Sequence, residues 1–545
     1  MSPPGVDLPH PPLRVGLAVA PGPQPWWVVE LLRELALEGS IEVLFCLEVP
    51  AALNESPAPS WLVRAHEWLD EWVYGDDFDV QQRVPMDDLL TGVPRASLDA
   101  ASGSQRVADL VREARLDVIL DLGVPALPLD VGDAVRFGAW SHSHLGDVGA
   151  PAGLWESLHG ESVSGVRLVS TLAGSRHLIG TAWSATDFLS PIRNQRALCR
   201  HAMALLPRAV HLVRTRGTSG FDSLVREGEV AGIASSHREW PTGVQMARLL
   251  LRRAVRSVAS RIRNLARTER WEIGIWRHDT SAGDVQAPDH ALERAALVPC
   301  PSDRYWADPF CVRHGDGWVL FAEELPYATQ RGRIVAAEVG ADGTVGPMRV
   351  VLEMPYHLSY PFVFRAQGQW YMMPETFDAF RVELFRAVEF PWRWERHATL
   401  LDNIALVDGT LHEHEGRWWL FGGLGTHRGS PSEQLHLFSA PALAGPWAPH
   451  PENPVCTDVR HSRPAGRLFS RGGRLYRPSQ DCAQSYGQAV VITEVTCLSP
   501  THFSEVISER RDPSWRADLA GMHTVNADGG LTVIDVRRRI PRWRA

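Results

Sequence analysis

The sequence predicts two folds in tandem: an α/β domain with a mostly parallel sheet, then an all-β five-bladed propeller. One phrase, an apolar run followed by a Gly turn and an aromatic run, recurs along the second half. It starts at Asp308-Pro309-Phe310, Tyr360-Pro361-Phe362, Asp408-Gly409-Thr410, Arg463-Pro464-Ala465 and, more weakly, His523. Each copy reads as a β-hairpin. The starts lie 48 to 60 residues apart, and a period near 50 with several strands per unit marks a propeller. In the first half, short apolar strands alternate with helical periodicity. That alternation implies βα units with helices on both faces of the sheet.

Composition bounds the rest. At 545 residues the chain is too long for one core, so at least two domains are expected. A net charge of −9 argues against a general nucleic-acid binder. The seven Cys lack CxxC spacing, so neither a zinc site nor a disulfide framework is expected, and no metal is called for. Residues 1–12 are Pro-rich and lack the charged and apolar regions of a signal peptide. No run reaches the roughly 18 apolar residues of a spanning helix. The expected location is cytoplasmic.

Residues 13–215 make the α/β domain. Residues 14–20 are a short buried strand, 26–37 a helix, and 41–47 a second strand. A helix at 105–114 leads into a strand at 117–123. Then come Phe137-Gly138-Ala139-Trp140-Ser141-His142-Ser143-His144, Gly153-Leu154-Trp155-Glu156-Ser157-Leu158-His159-Gly160-Glu161 and Ser164-Gly165-Val166-Arg167-Leu168. In this order the region resembles the N-terminal domain of the formyltransferase family, which moves a formyl group from 10-formyltetrahydrofolate to an amine. The resemblance implies a Rossmann-type parallel sheet and a site of Asn, His and Asp. Here the Asn place falls on Trp140 or Ser141, and the Asp-Gly-Gly loop has become Ala173-Gly174-Ser175-Arg176. His142 or His144 stands for the His, so the site is expected to be vestigial. No cofactor is expected. 10-Formyltetrahydrofolate enters only in an alternative where the chain N-formylates an amino sugar.

Residues 216–270 are expected to be a linker carrying a basic amphipathic helix. Over 242–268, Leu251, Val255, Val258, Ile262 and Leu265 share one face, and seven Arg occur with no Asp or Glu. Such a helix can lie on an anionic membrane surface, which would place the protein peripherally at an inner membrane face. Residues 271–276 alternate as a strand that could close the last blade.

The propeller is expected over 271–538. Each inner strand starts at one mouth of the central channel, which brings Asp308, Tyr360, Asp408, Arg463 and His523 together, with Glu375 beside them. Asp308, Asp408 and Glu375 are the candidate catalytic carboxylates, since glycoside cleavage needs two such groups. Arg463, Arg467 and Arg477 offer bidentate cations for a phosphate or carboxylate. Trp306 and Tyr360 could stack on a sugar. The Asp-Pro-Phe openings resemble the five-bladed family 43 glycoside hydrolases. A closer resemblance covers about 270–536. Its motifs include Trp306-Ala307-Asp308-Pro309-Phe310, Met373-Pro374-Glu375-Thr376, Arg463-Pro464-Ala465-Gly466-Arg467, Gln480-Asp481-Cys482 and His523-Thr524-Val525-Asn526. Together they look like the N-terminal domain of the glucosamine inositolphosphorylceramide transferase family. That implies a carbohydrate-active protein of glycan or glycolipid biosynthesis. Its partner would be a sugar, sugar phosphate or inositol-containing glycolipid, with Asp481 and Asn526 among the binding residues. A non-catalytic sugar-binding module is the remaining alternative.

Overall fold

The computed structural model describes residues 10–49, 59–75, 79–97, 104–122, 127, 129–143, 150–225, 239–279, 286–288, 291–425 and 430–541. The chain divides into two compact units, Met1–Val255 and Arg256–Ala545.

The first unit holds a seven-stranded sheet in the order Arg95–Ser97, Ile41–Glu48, Leu13–Val19, Val118–Asp121, Ala139–Ser143, Val163–Leu172, Ser175–Ala185. The first five strands run parallel. The last two turn antiparallel, so the sheet is mixed at one edge. The final pair is a hairpin: Ala173 and Gly174 sit at φ of 51° and 69°, the two left-handed residues of a tight turn whose twist matches its strands. The loop that the formyltransferase resemblance aligned with an Asp-Gly-Gly segment is therefore a hairpin turn. Leu13–Val19 is covered on both faces. Val15, Leu17 and Val19 pack with the Trp26–Leu37 and Pro191–Arg216 helices. Ala18 packs instead with Val107, Val111 and Val131. Burial on both faces is why this strand reads as one apolar run.

The segment expected to be a linker is only partly one. The Gly243–Ala266 helix starts in the first unit, where Met246 and Leu249 pack against Val63, Leu154 and Leu158. On its other side Val244, Leu251 and Val255 are exposed. The side chain of Ile262 lies outside the described residues.

The second unit is five sheets of at least four strands each. Blade one runs Arg304–His314, Gly317–Pro326, Arg333–Val339, Arg349–Leu352. Blade two runs Ser359–Ala366, Gln369–Glu375, Arg381–Glu389, Arg393–Asp402. Blade three runs Leu406–His414, Arg417–Leu424, Leu435–Ala440, Ala448–Pro449. Blade four runs Phe469–Arg471, Arg474–Asp481, Ala489–Leu498, Phe503–Arg511. Blade five takes Val525–Asp528 and Leu531–Pro541 from the end of the chain. Arg267–Arg277, from before blade one, pairs with Leu531–Pro541 from Arg267↔Pro541 to Arg277↔Leu531. This pairing closes the ring.

Candidate functional site in the propeller

Three blades open on the same backbone device. Asp308, Tyr360 and Asp408 sit at φ of 49°, 44° and 50°. Each lies in a bulge where the inner strand slips register, at Ala307/Phe310, Ser359/Phe362 and Val407/Thr410. A side chain in left-handed backbone costs on the order of 1–3 kcal/mol and persists only where the surroundings hold it. Carboxylates hold it here. The N–H of Asp308 donates to Asp535 Oδ2 at 3.0 Å, that of Tyr360 to Asp308 Oδ2 at 3.2 Å, and that of Asp408 to Glu375 Oε2 at 3.0 Å. Each bulge thus re-aims one residue and anchors one acid.

Asp308, Glu375 and Asp408 meet in one cavity of about 210 Å³, and Asp535 lies behind Asp308 and His523. Asp308, Glu375, Asp408, Arg463 and His523 all line it, as do Trp271 and Tyr486. Its volume is below the ~300–1,000 Å³ of pockets that bury drug-sized ligands, so it suits one ring, not a chain. Arg463 Nε donates to Asp408 Oδ2 at 2.6 Å, and Gln480 Nε2 donates to the same oxygen at 2.8 Å. Thr524 Oγ1 donates to Asp308 Oδ1 at 2.9 Å. His523 lies between two acids, with Nε2 3.3 Å from Asp308 Oδ1 and Nδ1 2.7 Å from Asp535 Oδ2.

The electrostatics follow from burial. Desolvation pushes the Glu375 carboxyl up to about 8, helped by neighbouring Asp408 and opposed by Arg463. Desolvation likewise raises Asp308, with the His523 charge pulling the other way. Burial alone would lower His523, but Asp535 and Asp308 outweigh it and hold the imidazole near 9. Asp308, His523 and Asp535 bring ligand atoms within 4.8 Å of one another, the spacing of a metal site. With both ring nitrogens facing carboxylates, a protonated His523 itself supplies the cation that this cluster needs. A second cluster of that spacing joins Cys456, His461 and Glu505. There, both Glu505 oxygens already accept from Arg477.

Several residues singled out in the sequence lie elsewhere. Tyr360 is fully buried beneath the mouth. Its hydroxyl is 2.9 Å from Thr410 Oγ1 and accepts from the Gly466 N–H at 2.6 Å, so it has no free face for a sugar. Trp306 is core: its indole N–H donates to Glu324 Oε2 at 3.1 Å. Arg467 donates to the Val363 carbonyl at 2.5 Å and its guanidinium lies over the Phe362 ring. Arg477 is fully buried and paired with Glu505 at 2.6 Å. Asp481 accepts from Arg510 and from the Ala483 N–H. Asn526 donates to the Pro309 carbonyl and accepts from the Arg467 N–H. These side chains brace the ring and do not line the cavity. Of the three arginines expected at this face, only Arg463 lines it.

Other groups escaped the sequence reading. Trp271 stacks on His523 at 4.0 Å between ring centroids, and Tyr486 meets the same imidazole edge-on at 5.3 Å. Asp535 was legible as a lone charge inside the apolar run Val533-Ile534-Asp535-Val536, since a buried charge needs partners. Tyr486 left no such signal.

In the α/β unit, His142 lies on the Ala139–Ser143 strand and packs edge-on to Trp27 at 5.8 Å. Among the described residues its Nε2 has no hydrogen-bond partner, and burial pushes the imidazole down to about 4 against a backbone hydrogen bond with Ala202. His144 lies outside the described residues.

Comparison with known proteins concerns this second unit. Residues 264–514 match the family model described as Glucosamine inositolphosphorylceramide transferase 1, N-terminal. The protein of that name from Arabidopsis thaliana is 35% identical over 236 residues, covering 43% of this chain and 31% of that one. Its counterpart from Oryza sativa subsp. japonica is 36% identical over 204 residues, covering 37% and 27%. The chain therefore spans less than a third of the length of these relatives. Among solved structures, a family 117 glycoside hydrolase of Zobellia galactanivorans gives a TM-score of 0.32 at 12% identity, covering 50% of this chain and 90% of that one. An exo-β-1,3-galactanase from Phanerochaete chrysosporium gives 0.32 at 12%, covering 44% and 66%. On the sequence match and its own strand order, the second unit is a five-bladed propeller similar to the N-terminal domain of glucosamine inositolphosphorylceramide transferases.

Proposed function

We propose that the propeller mouth binds a single sugar ring in the assembly of a glycan or glycolipid, and that its carboxylates carry the transfer or cleavage of that sugar. One observation carries the reading: Asp308, Asp408 and Glu375, from three different blades, share a cavity of about 210 Å³. Glu375, protonated near neutral pH, is the candidate acid that would give its proton to a glycosidic oxygen as the C–O bond breaks. Asp408, fixed by Arg463 and Gln480, would face the positive charge that develops at the anomeric carbon. Trp271 and Tyr486 supply the aromatic faces that Trp306 and Tyr360 do not.

The charge balance also narrows the ligand. Asp308, Glu323, Glu375 and Asp408 line the cavity, against Arg463, His523 and His357, and His357 is 3.2 Å from Glu323. Glu375 is uncharged near neutral pH, and Arg463, His523 and His357 each already face a carboxylate, so the lining spares no cation for a phosphate and suits hydroxyls or an amine. A neutral or amino sugar is thus favoured over a sugar phosphate, in keeping with the glucosamine in the relatives' name. Calorimetry of the full chain with glucosamine, glucose and inositol phosphate tests this. Glucosamine should bind best, and Asp408→Asn should weaken it at least tenfold. Preferential binding of inositol phosphate, lost on Arg463→Ala, would overturn the ligand assignment.

A further inference from the structure

We infer that the α/β unit docks on an anionic membrane surface, with the Trp61–Tyr74 helix as its apolar face. This helix buries one side only. Val63, His66 and Asp70 point inward, and Val63 joins Met246 and Leu249 of the Gly243–Ala266 helix in a small cluster. Outward, Trp61 is 78%, Trp68 69% and Trp72 74% exposed, with Leu69 and Val73 beside them. Positions 61, 65, 68, 69, 72 and 73 form one continuous helical stripe. Trp68 and Trp72 stack with planes 6° apart and centroids at 6.4 Å, making one flat aromatic platform. Three exposed indoles on one stripe exceed the scattered apolar residues of ordinary surfaces.

The neighbouring helix supplies the charge. Arg253 of the Gly243–Ala266 helix contacts His66 of the Trp61–Tyr74 helix, so the two lie side by side. Within this unit that helix carries Arg248, Arg252 and Arg253 and no acid, and Val244, Leu251 and Val255 face outward among them. Indole rings at the level of lipid headgroups, flanked by arginines that meet anionic lipid, are the composition of an interfacial surface. A second copy of this chain fits less well. A two-fold interface sets a patch against itself, and would bring Arg248 of the two copies toward each other, with Glu71 of the Trp61–Tyr74 helix already paired to Arg196. Among the described residues no helix is long and apolar enough to cross a membrane, so the contact is peripheral. It does not depend on the sugar reading of the propeller.

The test is sedimentation of the full-length chain with phosphatidylcholine vesicles, plain or doped with phosphatidylserine, at low and high salt. Binding should need phosphatidylserine and weaken as salt rises. Trp68→Ser/Trp72→Ser should lower partitioning on the order of tenfold or more through lost apolar burial. Arg248→Gln should flatten the salt dependence. All three residues are exposed, so circular dichroism should match the parent chain. Equal binding to neutral and doped vesicles, no binding to either, or full binding by the tryptophan variant would overturn the inference. So would a dimer abolished by Trp68→Ser/Trp72→Ser, since the stripe would then belong to a second copy.

Discussion

The propeller mouth and the sheet around His142 bury polar groups in opposite ways. At the mouth, every buried acid answers a backbone N–H or a cation: Asp535 takes the N–H groups of Asp308, His523 and Thr524, and Asp408 takes Arg463 and Gln480. At His142 a single imidazole meets Trp27 and the Ala202 backbone, and among the described residues its Nε2 has no hydrogen-bond partner. The difference comes from symmetry. Repeating blades bring the same register position to one axis five times, so polar groups converge and can satisfy one another. A single strand in a twisted sheet delivers its polar residue alone, and burial then neutralises it. Convergence marks a site, whereas an isolated buried histidine marks packing.

Four measurements sharpen or break that contrast. The largest effect should follow from Glu375→Gln, which keeps shape and removes the acid. Turnover on the sugar substrate should fall by about 10²-fold or more, the usual loss on removing a general acid, while the melting temperature changes little. Next is the cost of deleting one buried partner. Asp535→Asn takes from His523 the nearer of its two acids and from the Asp308, His523 and Thr524 N–H groups their charged acceptor, and should cost about 3–5 kcal/mol in urea unfolding. His142→Phe should cost under ~1 kcal/mol, because it removes a group that already lacks a partner on one nitrogen. Equal costs would erase the distinction.

The third measurement is pH dependence. The folded pKa values of Glu375 and His523 are raised, from 4.5 to about 8 and from 6.5 to about 9. The native state therefore binds more protons than the unfolded chain in those windows, and stability falls as pH rises through them. His523→Gln should remove the part of the slope between about 6.5 and 9. A profile that stays unchanged would mean that the imidazole is not held charged. The smallest effect should come from Trp306→Phe. It loses the indole bond to Glu324, worth about 1 kcal/mol, and should leave sugar affinity unchanged, whereas Trp271→Ala should weaken it.

The blade count, the hairpin positions and the convergence of Asp308, Asp408, Arg463 and His523 were legible because repetition is a sequence property. Register repeated near 50 residues, and inner strands must start at one mouth. What a side chain does once there was not legible. Trp306 and Trp271 both sit in apolar-aromatic strands, yet Trp306 donates into the core and Trp271 flanks the cavity. Arg463 and Arg477 are equally cationic in sequence, yet Arg477 turns to Glu505 and only Arg463 reaches Asp408.

By itself the sequence determined the tandem of an α/β unit and a propeller, a closing strand at 271–276 that the structure extends to Arg267–Arg277, and the carboxylates at the mouth. Those follow from periodicity, which is local and repeats. Only the tertiary structure decided that Tyr360 is sealed below the cavity, that Asp535 and Glu375 hold strained backbone at Asp308 and Asp408, and that the Trp61–Tyr74 helix leaves its indoles outside. Each of these depends on which residue, tens or hundreds of positions away, arrives to complete or vacate a contact. The 227-residue separation between Asp308 and Asp535 shows the scale of that choice.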